Sequence, residues 1–151
     1  MRILRKNFWI SLFWVQNRHH KHGVLVHTLK VMYGTIKFKK YRMFPAAVFH
    51  DFGKPFVAFQ DEEDLQKSFY SLSFTNHEEA SYQLIKNYPI SDYTKNLVRY
   101  HYIIRDMKLS KKKGNFARFN RLYKIWNKLD DDFKKELAEF MKIDDYGKGT
   151  L

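Results

Sequence analysis

An all-α fold is predicted for this chain by the spacing of its apolar residues, which is helical almost from end to end. Hydrophobic residues make up 44% of the chain and aromatics 18%, the composition of a packed globule rather than of a disordered segment. No internal repeat and no Gly/Ser-rich or Pro-rich linker divides it. A single compact helical bundle over residues 1–151, with its core within 20–147, is therefore expected.

The elements follow in order. Residues 8–15, Phe-Trp-Ile-Ser-Leu-Phe-Trp-Val behind Arg2, Arg5 and Lys6, look superficially like a signal h-region. They lack an A-x-A-like cleavage site and are far shorter than the roughly 20 apolar residues of a membrane span. Their bulky aromatics suit a core helix, so a soluble, cytoplasmic protein with no membrane association is expected. Residues near 24 to 38 form a clear helix in which Val24, His27 and Val31 share one stripe and Leu25, Leu29, Met32 and Ile36 the next; His27 then faces or borders the core. Residues 43–50 make a short, nearly all-apolar helix that must be buried on most sides and delivers His50 and Asp51 at its end, where Gly53 and Pro55 stop it.

Residues 61–75 read as an irregular, partly acidic connection. Thr75 with Glu78, or Asn76 with Glu79, can form a capping box that starts the helix of Ala80, Leu84 and Ile85 close to His77. Asn87-Tyr88-Pro89 ends that helix, and Ser91 or Asp92 caps the next, in which Leu97, His101 and Ile104 share a core-facing stripe. A basic turn at residues 111–115 leads to an amphipathic helix of Phe116, Phe119, Leu122, Tyr123 and Trp126. Asp130, Asp131 and Asp132 suit the positive N-terminus of the last helix. Its stripe of Phe133, Leu137, Phe140 and Met141 continues to Asp144 and not to Asp145, so Asp144 should face inward.

Charge and cysteine content restrict the chemistry. Lys+Arg 28 against Asp+Glu 16 gives a formal charge of +12, a field that favours anionic, phosphate-bearing partners. The excess is dense from Arg18 to Lys21, and again from Arg105 through Lys111, Lys112, Lys113, Arg118, Arg121 and Lys124 to Lys128. A basic helix interleaved with aromatics can track a nucleic-acid backbone, and is equally well a solvated face of a lysine-rich chain. With Cys 0, any metal must sit on imidazole nitrogen and carboxylate oxygen.

His27, His50, Asp51, His77, His101 and Asp144 supply such a set. Taken singly, each histidine is most simply a satisfied core or surface residue. Together they gather on inward stripes and at buried helix ends. Burying an uncompensated charge costs several kcal/mol, whereas a divalent cation turns the same groups into ligands.

The order of these residues resembles the HD superfamily of metal-dependent phosphohydrolases: a His on an early helix, a His-Asp pair ending a buried helix, and a distant Asp. His27, His50 with Asp51, and Asp144 match it. His50-Asp51-Phe52-Gly53-Lys54 resembles the H-D-[hydrophobic]-G-K form, and Asn76-His77-Glu78 resembles the G-H-E that follows it, with Asn in place of Gly. With His27-Thr28-Leu29, these segments are similar to the HD domains attached to tRNA nucleotidyltransferases, which implies 2′,3′-cyclic phosphodiesterase, 2′-nucleotidase or phosphatase activity. The Glu-Asp motif of guanosine tetraphosphate hydrolases is absent.

The resemblance implies a first metal on His27, His50, Asp51 and Asp144, and a second on His77 and His101 with Asp51 bridging. Two cations would clamp the scissile phosphate and supply hydroxide near neutral pH. Mn²⁺, Mg²⁺, Fe²⁺, Ni²⁺ and Co²⁺ all suit such donors. Lys54 is the candidate for stabilising charge on the transferring phosphate, or else a surface lysine after a turn. Arg105, four residues past His101, is a candidate phosphate contact. One of His19, His20 and His22 is expected near the site, with His22 favoured as closest in sequence to His27.

The expected function is thus hydrolysis of a phosphoester in a nucleotide or at an RNA end. A nucleoside mono- or triphosphate phosphohydrolase and a cyclic-nucleotide messenger hydrolase are alternatives. From a different class comes a basic nucleic-acid-binding module with a metal-stabilised core. Oligomeric state is not written in the chain.

Overall fold

The computed structural model describes residues 2–18, 20 and 22–149, with side chains from residue 6 onward. Ten α-helices account for most of them: α1 (Arg2–Phe13), α2 (Val24–Lys37), α3 (Phe44–Phe49), α4 (Lys54–Val57), α5 (Glu62–Leu65), α6 (His77–Ile85), α7 (Asp92–Tyr100), α8 (Ile103–Lys112), α9 (Phe116–Lys128) and α10 (Asp131–Lys148). A 3₁₀ turn at Tyr41–Met43 leads into α3. Among the described residues there is no strand, only isolated bridges such as Phe59 with Ser73. The protein is an all-α bundle, and no described helix is long and apolar enough to cross a membrane.

One apolar core joins α2, α3, α7 and α10, with Val31, Ala46, Ala47, Leu97, Val98, Leu137 and Phe140 all fully buried. Small residues let the central helices approach. A Cβ on Gly147 would run into the Val31 methyl and stand 3.1 Å from the His27 ring, and one on Gly34 would stand 3.0 Å from Ile143. Both glycines lie where α2 meets α10, so the helices that carry His27 and Asp144 can touch. Gly147→Ala is expected to cost about 1–3 kcal/mol through overpacking. A urea midpoint equal to wild type would show that the helices yield instead.

Several sequence expectations change. The α1 aromatics do not make a core helix: Trp9, Phe13 and Trp14 are 53%, 47% and 69% exposed, while Asn7 and Ser11 are buried. Polar side chains there meet polar partners, as Tyr70 Oη donates to Asn7 Oδ1 at 2.7 Å and Ser11 Oγ to the Phe8 carbonyl. On α2 the Val24–His27–Val31 stripe is buried and the neighbouring Leu25, Leu29 and Ile36 are exposed.

Gly53 and Pro55 do not end the helical run. Asp51 to Gly53 form a tight turn, and α4 starts at once with Pro55 in its first turn, where a missing N–H costs nothing. Neither capping box forms before α6; Asn76 instead takes a left-handed conformation (φ 55°) with no side-chain cap. The acidic connection holds its own capping box between Asp61 and Asp64, which starts α5.

The helix expected to run through His101 is two helices. His101 lies between α7 and α8, where its ring Nδ1 takes the Val98 carbonyl at 2.7 Å. Ser91 caps α7 and Asp130 caps α10, each through its side chain. α9 has no buried residue; it packs on α8, pinned by Arg118, whose Nε and Nη2 donate to the Asp106 carboxylate at 2.9 and 2.6 Å.

Candidate metal centre

Three of the predicted ligand histidines sit at helix ends, where backbone carbonyls lack an intrahelical partner. His50 closes α3 and donates from Nδ1 to the Ala47 carbonyl at 2.8 Å. His101 closes α7 in the same way, and His77 opens α6 with Nδ1 donating to the Phe74 carbonyl at 3.1 Å. A carbonyl only accepts, so each ring holds a proton on Nδ1 and turns Nε2 inward. This is the arrangement that orients a ligating imidazole. Ser81 steadies the turn that carries the pair, its Oγ donating to the His50 carbonyl and accepting the Gly53 amide, both at 2.8 Å. A Cβ at Gly53 would stand 2.5 Å from the Ser81 amide nitrogen, so only glycine allows this crossing.

All four rings turn Nε2 toward Asp51, which is fully buried and divides its two oxygens between them. Oδ2 lies 3.4 Å from His27 Nε2 and 3.3 Å from His50 Nε2, while Oδ1 lies 3.5 Å from His77 Nε2 and 3.8 Å from His101 Nε2. Two trios with mutually close donor atoms result, His27–His50–Asp51 and Asp51–His77–His101, each positioned to hold a metal ion. Asp144 stands beside the first, its Oδ1 2.9 Å from His27 Nε2 and 3.6 Å from His50 Nε2. Asp145 turns outward, 30% exposed at its side chain, and holds Arg105 Nη2 at 2.5 Å.

Electrostatics favour a cation here. Burial opposes ionisation of Asp51, but His50 and Lys54 hold its carboxyl well below the usual range; Lys148 does the same for Asp144. Burial alone would lower His50, yet the Asp51 and Asp144 carboxylates push it up to about 9, so the metal-free ring carries a proton that a metal must displace. Burial, with the charge of Lys54, lowers His77 to about 3, and burial with His50 lowers His101 to about 4, leaving both neutral and ready to ligate.

Among the described residues four buried side-chain atoms have no hydrogen bond, and His20 Nε2, His27 Nδ1 and Asp51 Oδ2 are three of them. Such atoms need an explanation in a folded protein. Convergent Nε2 donors around a carboxylate with an unsatisfied oxygen fit a divalent cation.

The flanking residues separate into those that reach the cluster and those that do not. Lys54 is buried, with Nζ 2.7 Å from Asp51 Oδ2 and donating to Gln16 Oε1 at 2.9 Å. Arg105 reaches within 3.7 Å of Asp144 Oδ2 although it is held by Asp145. The ring lying against His27 is that of His20, at 5.0 Å between centroids, with Nδ1 on Asn17 Oδ1. What His22 offers nearby is its backbone carbonyl, which accepts from Gln16 Nε2. His19 lies outside the described residues. Sequence reasoning passed over Lys148, whose Nζ is buried against Asp144 Oδ2 at 2.5 Å, as well as Gln16, Ser81 and Tyr102, which stacks on His77. The i,i+4 spacing of Asp144 and Lys148 was the available signal.

No family model matches the chain, and neither the curated proteins nor the solved structures contain a match.

Proposed function

We propose that the protein is an HD-type metal-dependent phosphohydrolase acting on a phosphoester or phosphodiester of a nucleotide or an RNA end. The observation that carries this reading is Asp51, whose two oxygens face separate histidine pairs while Lys54 sits buried against one of them. His27, His50, Asp51 and Asp144 would hold one divalent cation and Asp51, His77 and His101 a second, supplying Lewis-acid polarisation of a phosphoryl oxygen.

The surrounding side chains favour an anion as substrate. Two buried lysines, Lys54 and Lys148, already match the carboxylates of Asp51 and Asp144. Once cations share those carboxylates, positive charge exceeds negative in a buried space, and a phosphate group restores the balance. Lys54 orients the phosphate and stabilises charge that grows on it. Arg105, held at the edge by Asp145, offers donors to a second phosphoryl oxygen. Mn²⁺, Mg²⁺, Fe²⁺, Ni²⁺ and Co²⁺ all fit a donor set of N and O atoms.

The test is a screen with Mn²⁺ or Ni²⁺ across 2′,3′-cyclic, 3′,5′-cyclic and 5′-phosphorylated nucleotides and bis-p-nitrophenyl phosphate. Chelator-sensitive release of phosphate or nitrophenolate from at least one is expected, and the preferred substrate separates the diesterase from the nucleoside-phosphate and cyclic-messenger alternatives. No turnover of any of them would overturn the assignment.

A further inference from the structure

From Met107 to Leu129 the chain contains no Asp or Glu, although it holds eight Lys and Arg residues there. The segment covers most of α8 and all of α9, joined by the turn at Gly114. Lys111 to Lys113, Arg121, Lys124 and Lys128 are all exposed, and among the described residues none of them forms an ion pair. The charge has nowhere to go within the protein. Arg118, by contrast, is spent on Asp106 and holds the two helices together.

Aromatic rings share this surface. Arg121, Lys124 and Lys128 lie at i, i+3 and i+7 along α9, and Phe116, Phe119 and Tyr123 form another stripe with the same spacing. Phe119 and Tyr123 are stacked at 5.8 Å with planes 12° apart, and Lys111 Nζ stands 6.0 Å from the Phe119 ring. Phe116 and Tyr123 are 60% and 48% exposed. Lysines track a phosphate backbone while flat rings accept unpaired bases, a combination that suits single strands better than duplexes.

The surface also connects to the centre. A groove of about 410 Å³ runs from Phe74 and Tyr102 past Ser110 to Lys113 and Asn115 at the hairpin turn. Tyr102 stacks on His77 at 5.1 Å, so the inner end of the groove abuts the ligand cluster. Its acids are engaged: Asp106 by Arg118, and Asp61 by the Asp64 amide and the Ser73 hydroxyl, while burial pushes the Glu78 carboxyl up.

We propose that the α8–α9 hairpin docks single-stranded nucleic acid and that the groove beside it leads the strand toward Asp51. The docking surface stands by itself; delivery of a strand end for cleavage rests on the hydrolase reading.

Fluorescence anisotropy with a labelled, unstructured RNA oligonucleotide tests the surface, with EDTA present so that nothing is cut. Wild-type protein is expected to bind, with affinity falling steeply as salt rises. The combined change Lys111→Ala, Lys112→Ala and Lys113→Ala should weaken binding at least tenfold and flatten the log–log salt slope by about 2, since a single strand loses about 0.7 per phosphate contact. Tyr123→Ala should weaken it about fivefold or more through lost stacking. The control change Lys37→Ala, Lys86→Ala and Lys142→Ala removes equal charge elsewhere and should leave affinity within twofold. Circular dichroism verifies that each variant is folded.

Equal weakening by the control would reduce the effect to net charge and overturn the proposal. So would absence of RNA binding by wild type, or hairpin-dependent binding to phosphatidylserine vesicles in place of RNA. If bis-p-nitrophenyl phosphate is hydrolysed but RNA is not bound, the docking surface fails and the hydrolase stands; binding without turnover of any substrate gives the reverse.

Discussion

Asp51→Asn is expected to abolish measurable Mn²⁺ binding and turnover, and also to destabilise the metal-free protein by about 3–5 kcal/mol. The two losses have different origins. Metal binding fails because one carboxylate serves both histidine trios. Stability falls because Lys54 and the protonated His50 are left as buried charges without a counter-ion. The second loss should be reversible: Asp51→Asn combined with Lys54→Met removes charge from both sides of a buried pair, and such exchanges are often neutral. Urea melts in EDTA should therefore show the double variant more stable than the single one, while calorimetry shows neither binding metal. Mn²⁺ binding by Asp51→Asn within tenfold of wild type would remove Asp51 from the centre.

Metal affinity should also rise about tenfold per pH unit from neutrality up to about pH 9, the value to which His50 is raised in the metal-free protein. Its raised value makes a contribution to metal-free stability that is complete below pH 6.5 and lost as the pH climbs to about 9. His77 and His101, lowered to about 3 and about 4, act oppositely, because stability drops as the pH falls from 6.5 toward those values. Thermal melts in EDTA should peak near pH 6.5, and Mn²⁺ should abolish the decline on the alkaline side. Calorimetry in two buffers of different ionisation enthalpy counts the displaced proton; metal binding near neutral pH without proton release would contradict the charge assigned to His50.

Much of the centre was legible from spacing. His27 is found by its place on the Val24–Val31 stripe, and Asp144 is separated from Asp145 by continuing the stripe of Leu137 and Phe140; both are buried as expected. The His50-Asp51 pair is legible because the apolar run before it has no choice but burial. The Nδ1 anchors of the three terminal histidines were not, since they depend on which carbonyls a helix end leaves bare. Lys54 and Lys148 were hidden for another reason. Lysine is ordinarily a surface residue, and only the three-dimensional position of the two aspartates explains why these two are buried. In α1, aromatic content suggested a core, but its contacts with Tyr70 and α4 put Asn7 and Ser11 inside and left Trp9 and Trp14 outward.

The contact between His27 and Asp144 joins residues 117 positions apart. A chain without cysteine has no disulfide with which to tie its first long helix to its last. An ion shared by those two residues would close nearly the whole polypeptide into a ring, and closing a loop of that length with a disulfide removes denatured-state freedom worth about 4–5 kcal/mol. The same atoms that handle a phosphate would then serve as the protein's one long-range cross-link, so stripping the ion would loosen the fold as well as silence the site.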